Sequence, residues 1–258
     1  MYWLGYKWHV TETCDPGLPH LLINSDTVPA PTSDGAATDP IHHRLAERDL
    51  RPAEHLVDTA YLDAAQINTA LDQHQITLIG PIRADTGWQN TTPDAYPASM
   101  FTIDWNDHAV TCPQGHTSHT WREETTRTGA PVTRIQFPAR TCRDCPMKTR
   151  CTTSAAGRRL TLRPRAEHDT ITHARAEQQT TDWQKRYNQR AGVEATIGQA
   201  TGRFDLRHCR YRGLTKTRLQ HLFTTTAINI ARIDNWLTGN TPEPTRTSHI
   251  ATLKPRAA

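Results

Sequence analysis

No run of apolar residues in this 258-residue sequence approaches the roughly 20 needed to cross a bilayer. The opening Met1-Tyr2-Trp3-Leu4 leads into polar residues rather than a signal-peptide core. A membrane span is therefore not expected, and a cytoplasmic location is. Lysine is scarce: Arg dominates the 30 basic residues, which reads as codon usage and says little about function. Cysteine is limited to six residues, and in a reducing cytosol these do not make a disulfide framework. Acid is thin in one region. Residues 134–218 carry 19 Lys/Arg against 7 Asp/Glu, whereas residues 1–133 carry 7 against 17. The overall charge of +4 hides this asymmetry, which points to a polyanion-binding face in the second half. Arginine suits such a face because its planar fork matches phosphate oxygens.

The length allows a real core, arranged as one domain with an insertion or as two small domains. Residues 5–13 alternate and are rich in aromatic and β-branched types, which predicts a strand; turn residues at 14–19 and a second strand at 20–24 complete a hairpin. Asp39 as N-cap with Pro40 at the first helical position predicts a helix over 40–48. A short strand over Glu54–Val57 delivers Asp58 at its carboxyl end, where open α/β sheets place ligand-binding residues. Asp58 could equally cap the element that follows. A helix over 61–73 and a buried strand over 76–81 come next.

From 83 to 165 the pattern breaks into short strands, such as 101–105 and 132–137, and loops. Four cysteines bunch here: Cys112, Cys142, Cys145 and Cys151. A Cys-x2-Cys knuckle plus two further thiolates suits a structural Zn²⁺, and His116 or His119 could replace one ligand. Free thiols, or more remotely an iron–sulfur cluster, are the alternatives. Residues 166–200 read as helical. Arg203-Phe204-Asp205-Leu206-Arg207-His208-Cys209-Arg210-Tyr211-Arg212 interleaves arginine with aromatics, which suits phosphate forks and base stacking. The last helix, 214–237, has Leu219, Leu222, Phe223, Ile230, Ile233 and Leu237 at helical spacing, expected as core packing.

Read as one helix, residues 182–197 place Tyr187, Arg190 and Glu194 on a single face, with Trp183, Val193 and Ile197 as the apolar contact. On spacing alone Arg190–Glu194 is an ordinary solvated i,i+4 pair. The pattern Tyr187-x2-Arg190-x3-Glu194 nevertheless resembles the third-carboxylate signature of bacterial insertion-sequence DDE transposases. The segment from His55 to Tyr61 is similar to that family's second-carboxylate strand, and Arg207 to Thr217 to its basic segment after the Glu helix. The pattern's final Lys falls on Thr201, with Arg203 the nearest basic residue. The family's first carboxylate would precede the first strand.

The resemblance implies an α/β, RNase H-like core lacking its first strand, with a cysteine-containing insertion before the last catalytic helix. The expected boundaries are 1–82 and 166–237 for the core, 83–165 for the insertion and 238–258 for a disordered tail. It also implies DNA cleavage and strand transfer with Mg²⁺ or Mn²⁺. Asp58 and Glu194 would be carboxylate ligands, supported by Tyr187 and Arg190, with Arg186, Arg203, Arg207, Arg210, Arg212 and Lys216 on DNA. A homo-oligomer is a further expectation. Without the first carboxylate the chain is expected to be an inactive fragment. A non-catalytic, zinc-containing DNA-binding protein is the alternative.

Overall fold

The computed structural model describes residues 5–240. The expected tail lies, from residue 241 on, outside the described residues. The chain divides into two compact units, one holding the first hairpin through Thr32 together with the stretch from Gln189 onward, the other Ser33–Asn188.

The first unit begins with strands β1 (Tyr6–Glu12) and β2 (Leu22–Pro29), antiparallel with a register irregularity at Thr11/Glu12. Helices α8 (Ala191–Arg203) and α9 (Leu214–Leu237) complete it. The apolar core is small: Leu22, Ala200 and Ile228, with Trp8, Val10, Phe204 and Leu206 packed around them. Much of the remaining interior is polar and must be hydrogen-bonded to be tolerated. Asn229 on α9 accepts from the Leu22 N–H (2.8 Å) and donates to the Leu22 carbonyl (2.9 Å), satisfying both backbone groups at the start of β2. Thr27 and His221 bond at 2.8 Å, and burial holds the His221 ring below the ordinary histidine pKa.

Helix α9 corrects one expectation. Its buried side chains are Thr217, His221, Thr224, Thr225 and Ile228, a single face at helical spacing. The apolar residues expected in the core stand on the open side: Leu219, Leu222, Phe223, Ile230, Ile233 and Leu237 are all exposed, Phe223 to 66% and Leu237 to 72%. The threonines can line the interior because each hydroxyl bonds a carbonyl one turn back, as Thr224 does to Gln220 (3.0 Å) and Thr225 to His221 (2.8 Å). Their methyl groups are then free to pack.

The second unit opens with α1 (Gly35–Ala46), longer at its start than the expected helix. Pro40 lies inside it, and Asp39 is no cap: its carboxylate bonds His74 at 2.7 Å, while the Ser33 hydroxyl accepts from the Ala36 N–H. Strands β3 (Glu54–Leu56) and β4 (Thr77–Ile79) pair in parallel around α2 (Ala64–His74), capped by Asp63. Val57, Leu62, Ala70, Ile76 and Leu78 form the core beneath. A Cβ on Gly80 would meet the Val57 carbonyl and a Leu62 methyl at 2.6 Å, so glycine permits this close approach next to Asp58. The element order matches the expected one, but the single mixed sheet does not form among the described residues. β1 pairs with β2, and β3 with β4, in separate two-stranded sheets.

The middle region is more regular than expected. After α3 (Trp88–Thr91) come the hairpin β5 (Thr102–Asp104) and β6 (Ala109–Thr111), then a three-stranded antiparallel sheet of β7 (Thr120–Thr125), β8 (Pro131–Gln136) and β9 (Arg159–Leu162). Short helices α4 (Ala139–Arg143) and α5 (Lys148–Cys151) lie between β8 and β9. Phe101, Val110, Ile135, Phe137, Leu160 and Leu162 make its core. Helices α6 (Arg165–Glu177) and α7 (Thr181–Asn188) close the unit. No helix among the described residues is long and apolar enough to cross a membrane.

Candidate functional site

Asp58 follows β3 with an extended backbone and an exposed side chain. One carboxylate oxygen accepts from the Thr59 N–H at 2.7 Å, capping a single 3-10 turn over Thr59–Tyr61. The capping alternative left open by the sequence is therefore realised, and the expected helix starts three residues late because this turn precedes it. A cap contact of this kind fixes the carboxylate's direction.

The signature around Glu194 is built differently from the expected single helix. The chain breaks after Asn188, so Tyr187 ends α7 while Glu194 sits in the first turn of α8, with Arg190 just before it. Asn188 and Gly192 flank the break, and both are poor helix formers. Tyr187 stacks on buried Trp183 at 4.8 Å. Arg190 and Glu194 pair at 3.5 Å with the Glu194 side chain 75% exposed, which is the solvated pair that spacing alone suggested. Ile197, expected as an apolar contact, is 45% exposed. Asp58 belongs to the second unit and Glu194 to the first.

What holds α8 in place escaped the sequence reading. Glu12, at the end of β1, has a side chain only 6% exposed and pairs with Arg232 of α9 at 2.9 Å. Its second oxygen accepts from the Thr196 hydroxyl, and Thr196 also accepts from Arg232 at 2.5 Å. Arg232 donates once more to the His20 carbonyl. Hairpin, α8 and α9 are thus locked by one buried ion pair. No local pattern announces it, since the partners lie up to 220 residues apart.

The basic stretch is an exposed loop leading into α9. Gln220 organises it, accepting from the Arg210 N–H at 3.0 Å and donating to the His208 carbonyl at 3.2 Å, and Cys209 bonds Thr217 at 3.2 Å. Arg207, Arg210, Arg212 and Lys216 are exposed around that fixed backbone, and Arg203 lies over the Phe204 ring. Arg186 is engaged within its own unit by Glu54 at 2.6 Å and Glu177 at 3.7 Å. A second basic surface, not anticipated, is an open pocket of about 510 Å³ on the β7–β8–β9 sheet lined by Arg122, Arg134 and Arg159. Alternation along these strands could have signalled it, because cross-strand neighbours Arg122 and Arg134 share one face.

Cys112, Cys142, Cys145 and Cys151 all line one cavity of about 30 Å³, together with His116. His119 does not; it lines the arginine pocket instead. Burial pushes the Cys151 thiol up to about 11. Among the described residues, no three His, Cys, Asp or Glu side chains are grouped so as to hold a metal ion as they stand.

A second buried titratable cluster joins α1, β3 and α2. His42, fully enclosed, bonds His55 at 2.9 Å and meets the His74 ring at 5.5 Å, edge to face. Burial first, then repulsion from His74, pushes His42 down to about 4, against an opposing pull from Asp39. Burial, with a smaller contribution from His42, pushes His55 down to about 3.

The architecture defines a mixed α/β protein that concentrates arginine on exposed, rigidly supported surfaces. Residues 111–234, a little under half of the chain, match the family model described as a transposase DDE domain, which supports the resemblance to insertion-sequence DDE transposases. The match includes Tyr187, Arg190, Glu194, the basic loop and all four clustered cysteines; Asp58 precedes it. No curated protein and no solved structure matches the chain. The match implies a transposition-related function for this stretch and, by family, a polynucleotidyl-transfer enzyme.

Proposed function

We propose that the chain takes part in DNA transposition by metal-dependent strand cleavage and transfer on an RNase H-like core, with Asp58 and Glu194 as metal-binding carboxylates. The family match across the Glu194 segment carries this reading. Both residues supply hard oxygen donors of the type Mg²⁺ or Mn²⁺ takes. When bound, such ions activate a nucleophile and steady the leaving oxygen at a phosphodiester. The chain's own contribution is to aim Asp58 by its cap bond to Thr59 and to seat α8 through the Glu12–Arg232 lock. Tyr187 and Arg190 support Glu194, and Arg203, Arg207, Arg210, Arg212 and Lys216 grip the DNA backbone.

The test is nicking of a supercoiled plasmid by the full chain with Mg²⁺ or Mn²⁺, alongside fluorescence anisotropy with duplex DNA. Nicking should fall to background in Asp58→Asn and in Glu194→Gln while DNA binding persists. Arg210→Ala with Arg212→Ala should weaken binding and reduce the logarithmic salt slope by about 2. Nicking that survives either carboxylate change removes that residue from the site. DNA binding without any nicking by the unaltered chain fits either an inactive transposase domain or the alternative, a non-catalytic, zinc-containing DNA-binding protein, and overturns the cleavage reading for this chain.

The exposed side of α9 fits a second copy of the chain. Phe223, Ile230 and Leu237 recur every seven residues, as do Leu219, Thr226 and Ile233, which is the a/d alternation of a two-stranded helical seam. An exposed apolar stripe over a 24-residue helix marks an interaction surface. Light scattering should report a dimer that Phe223→Asp with Ile230→Asp converts to a monomer of unchanged helix content. A wild-type monomer at all concentrations overturns the assignment.

A further inference from the structure

Three separate segments bring thiols to one small cavity. Cys112 comes from the turn after β6, where the Cys112 N–H bonds the His116 carbonyl at 2.9 Å and Gly115 takes a positive φ of 80°. Cys142 comes from α4, Cys145 from the loop after it, and Cys151 from the end of α5. The cavity, about 30 Å³, exceeds the roughly 10–15 Å³ a single water needs, so it has room for one small ion. Gly157, at φ 89°, keeps its neighbourhood open: a Cβ there would meet the Phe137 carbonyl at 2.6 Å and Cys142 Sγ at 3.4 Å. The next residue's N–H, on Arg158, donates to Cys142 Sγ at 3.4 Å.

Arg158 is the second observation. It lines the same cavity, is 7% exposed, and holds its Nε buried without any hydrogen-bond partner. One Nη donates to the Cys151 carbonyl at 2.7 Å, and the guanidinium lies 5.4 Å from the Phe101 ring centre. Neither contact is an anion. Burial still holds the Arg158 pKa below the ordinary arginine value, against an opposing pull from Asp85, so the guanidinium facing the four thiols is only partly compensated, and burying such a charge is expensive. Four thiolates around a divalent ion carry a net charge of −2, which would add to the counter-charge that Asp85 supplies in part.

We infer that Cys112, Cys142, Cys145 and Cys151 bind one Zn²⁺ as thiolates and that Arg158 is the buried counter-charge of that centre. The four thiols line the cavity without being grouped as a metal-ligand set, so the site would close around the ion only as it enters. Four Zn–S bonds form and the thiol protons leave to solvent, which makes binding favour higher pH. The centre ties the loop bearing Cys112 to α4 and α5, and so clamps the segment between β8 and β9 against the Phe101–Phe137 core. This inference is independent of the strand-cleavage reading.

The experiment is metal analysis of the full chain, grown with zinc and purified without chelator. About one zinc per chain is expected, with the four cavity thiols shielded from a thiol reagent until a chelator and denaturant are added. Replacing the ion by Co²⁺ in the unaltered chain should give the intense visible bands and thiolate charge-transfer absorption of a tetrahedral four-sulfur site. That spectrum does not depend on any variant folding. Arg158→Leu should weaken zinc retention in a chelator competition by roughly 10–100-fold, and Arg158→Lys should recover part of it. Purified chain with four reactive thiols and no Co²⁺ spectrum overturns the proposal. So does a three-sulfur, one-nitrogen spectrum, which would put His116 in place of a cysteine, or an iron chromophore. Equal retention in Arg158→Leu overturns the counter-charge assignment.

Discussion

Glu12→Ala is expected to destabilise the first unit by about 3–5 kcal/mol, the range for removing one partner of a buried ion pair. The Glu12 side chain is 6% exposed and that of Arg232 18%. Without the carboxylate, Arg232 keeps only neutral acceptors, Thr196 and the His20 carbonyl. Most of the loss therefore comes from the guanidinium left behind. Replacing both partners, as in Glu12→Leu with Arg232→Leu, should cost much less, because no unpaired charge remains buried. Urea denaturation of the three chains decides it. Equal losses for the single and double variants would mean that the packing of α8 and α9, and not the charge pair, sets stability here. Because Thr196 belongs to the same lock, loosening it should also disturb the start of α8, where Glu194 sits.

Acidification from pH 7.5 to 5 should destabilise the second unit, through the histidines between α1, β3 and α2. Both His55, held down to about 3, and His42, fully enclosed and held down to about 4, contribute over this range. The groups facing His42 are His55, His74 and, beyond His74, Asp39. Its folded pKa, about 4, lies below the ordinary value of 6.5. Between those values the unfolded chain binds more protons than the folded one, so stability rises with pH. The contribution is complete above about pH 6.5 and is lost as the pH falls toward 4. Linkage puts roughly 3 kcal/mol at stake for His42 alone. Denaturation midpoints measured across this range should fall with pH in the unaltered chain and fall less steeply in His42→Gln. An unchanged slope in the variant would place the acid sensitivity elsewhere.

Local chemistry made much of the framework readable. Turn residues at 14–19, alternation in the first hairpin, and the apolar spacing of 214–237 fix their elements through short-range sterics and periodicity. Helix α9 runs over the residues its spacing predicts, Leu214–Leu237. The resemblance that the family model supports was legible too, in Tyr187, Arg190, Glu194 and the basic run that follows, because those residues lie close together in the chain.

Tertiary structure decided the rest. Which face of α9 goes inward was reversed, since periodicity shows that a helix has two faces but not which one meets the hairpin. Threonines that satisfy their own hydroxyls can fill an interior as apolar residues do. The break between α7 and α8 separated Tyr187 from Glu194, where pattern alone drew one helix. The Glu12–Arg232 lock joins residues far apart in sequence, and the histidine cluster and the placement of Arg158 beside four cysteines join residues from separate elements. Sequence fixes residue types and local periods; burial and pairing over long separations depend on where the chain returns to itself, and they set the charge states on which the site's chemistry rests.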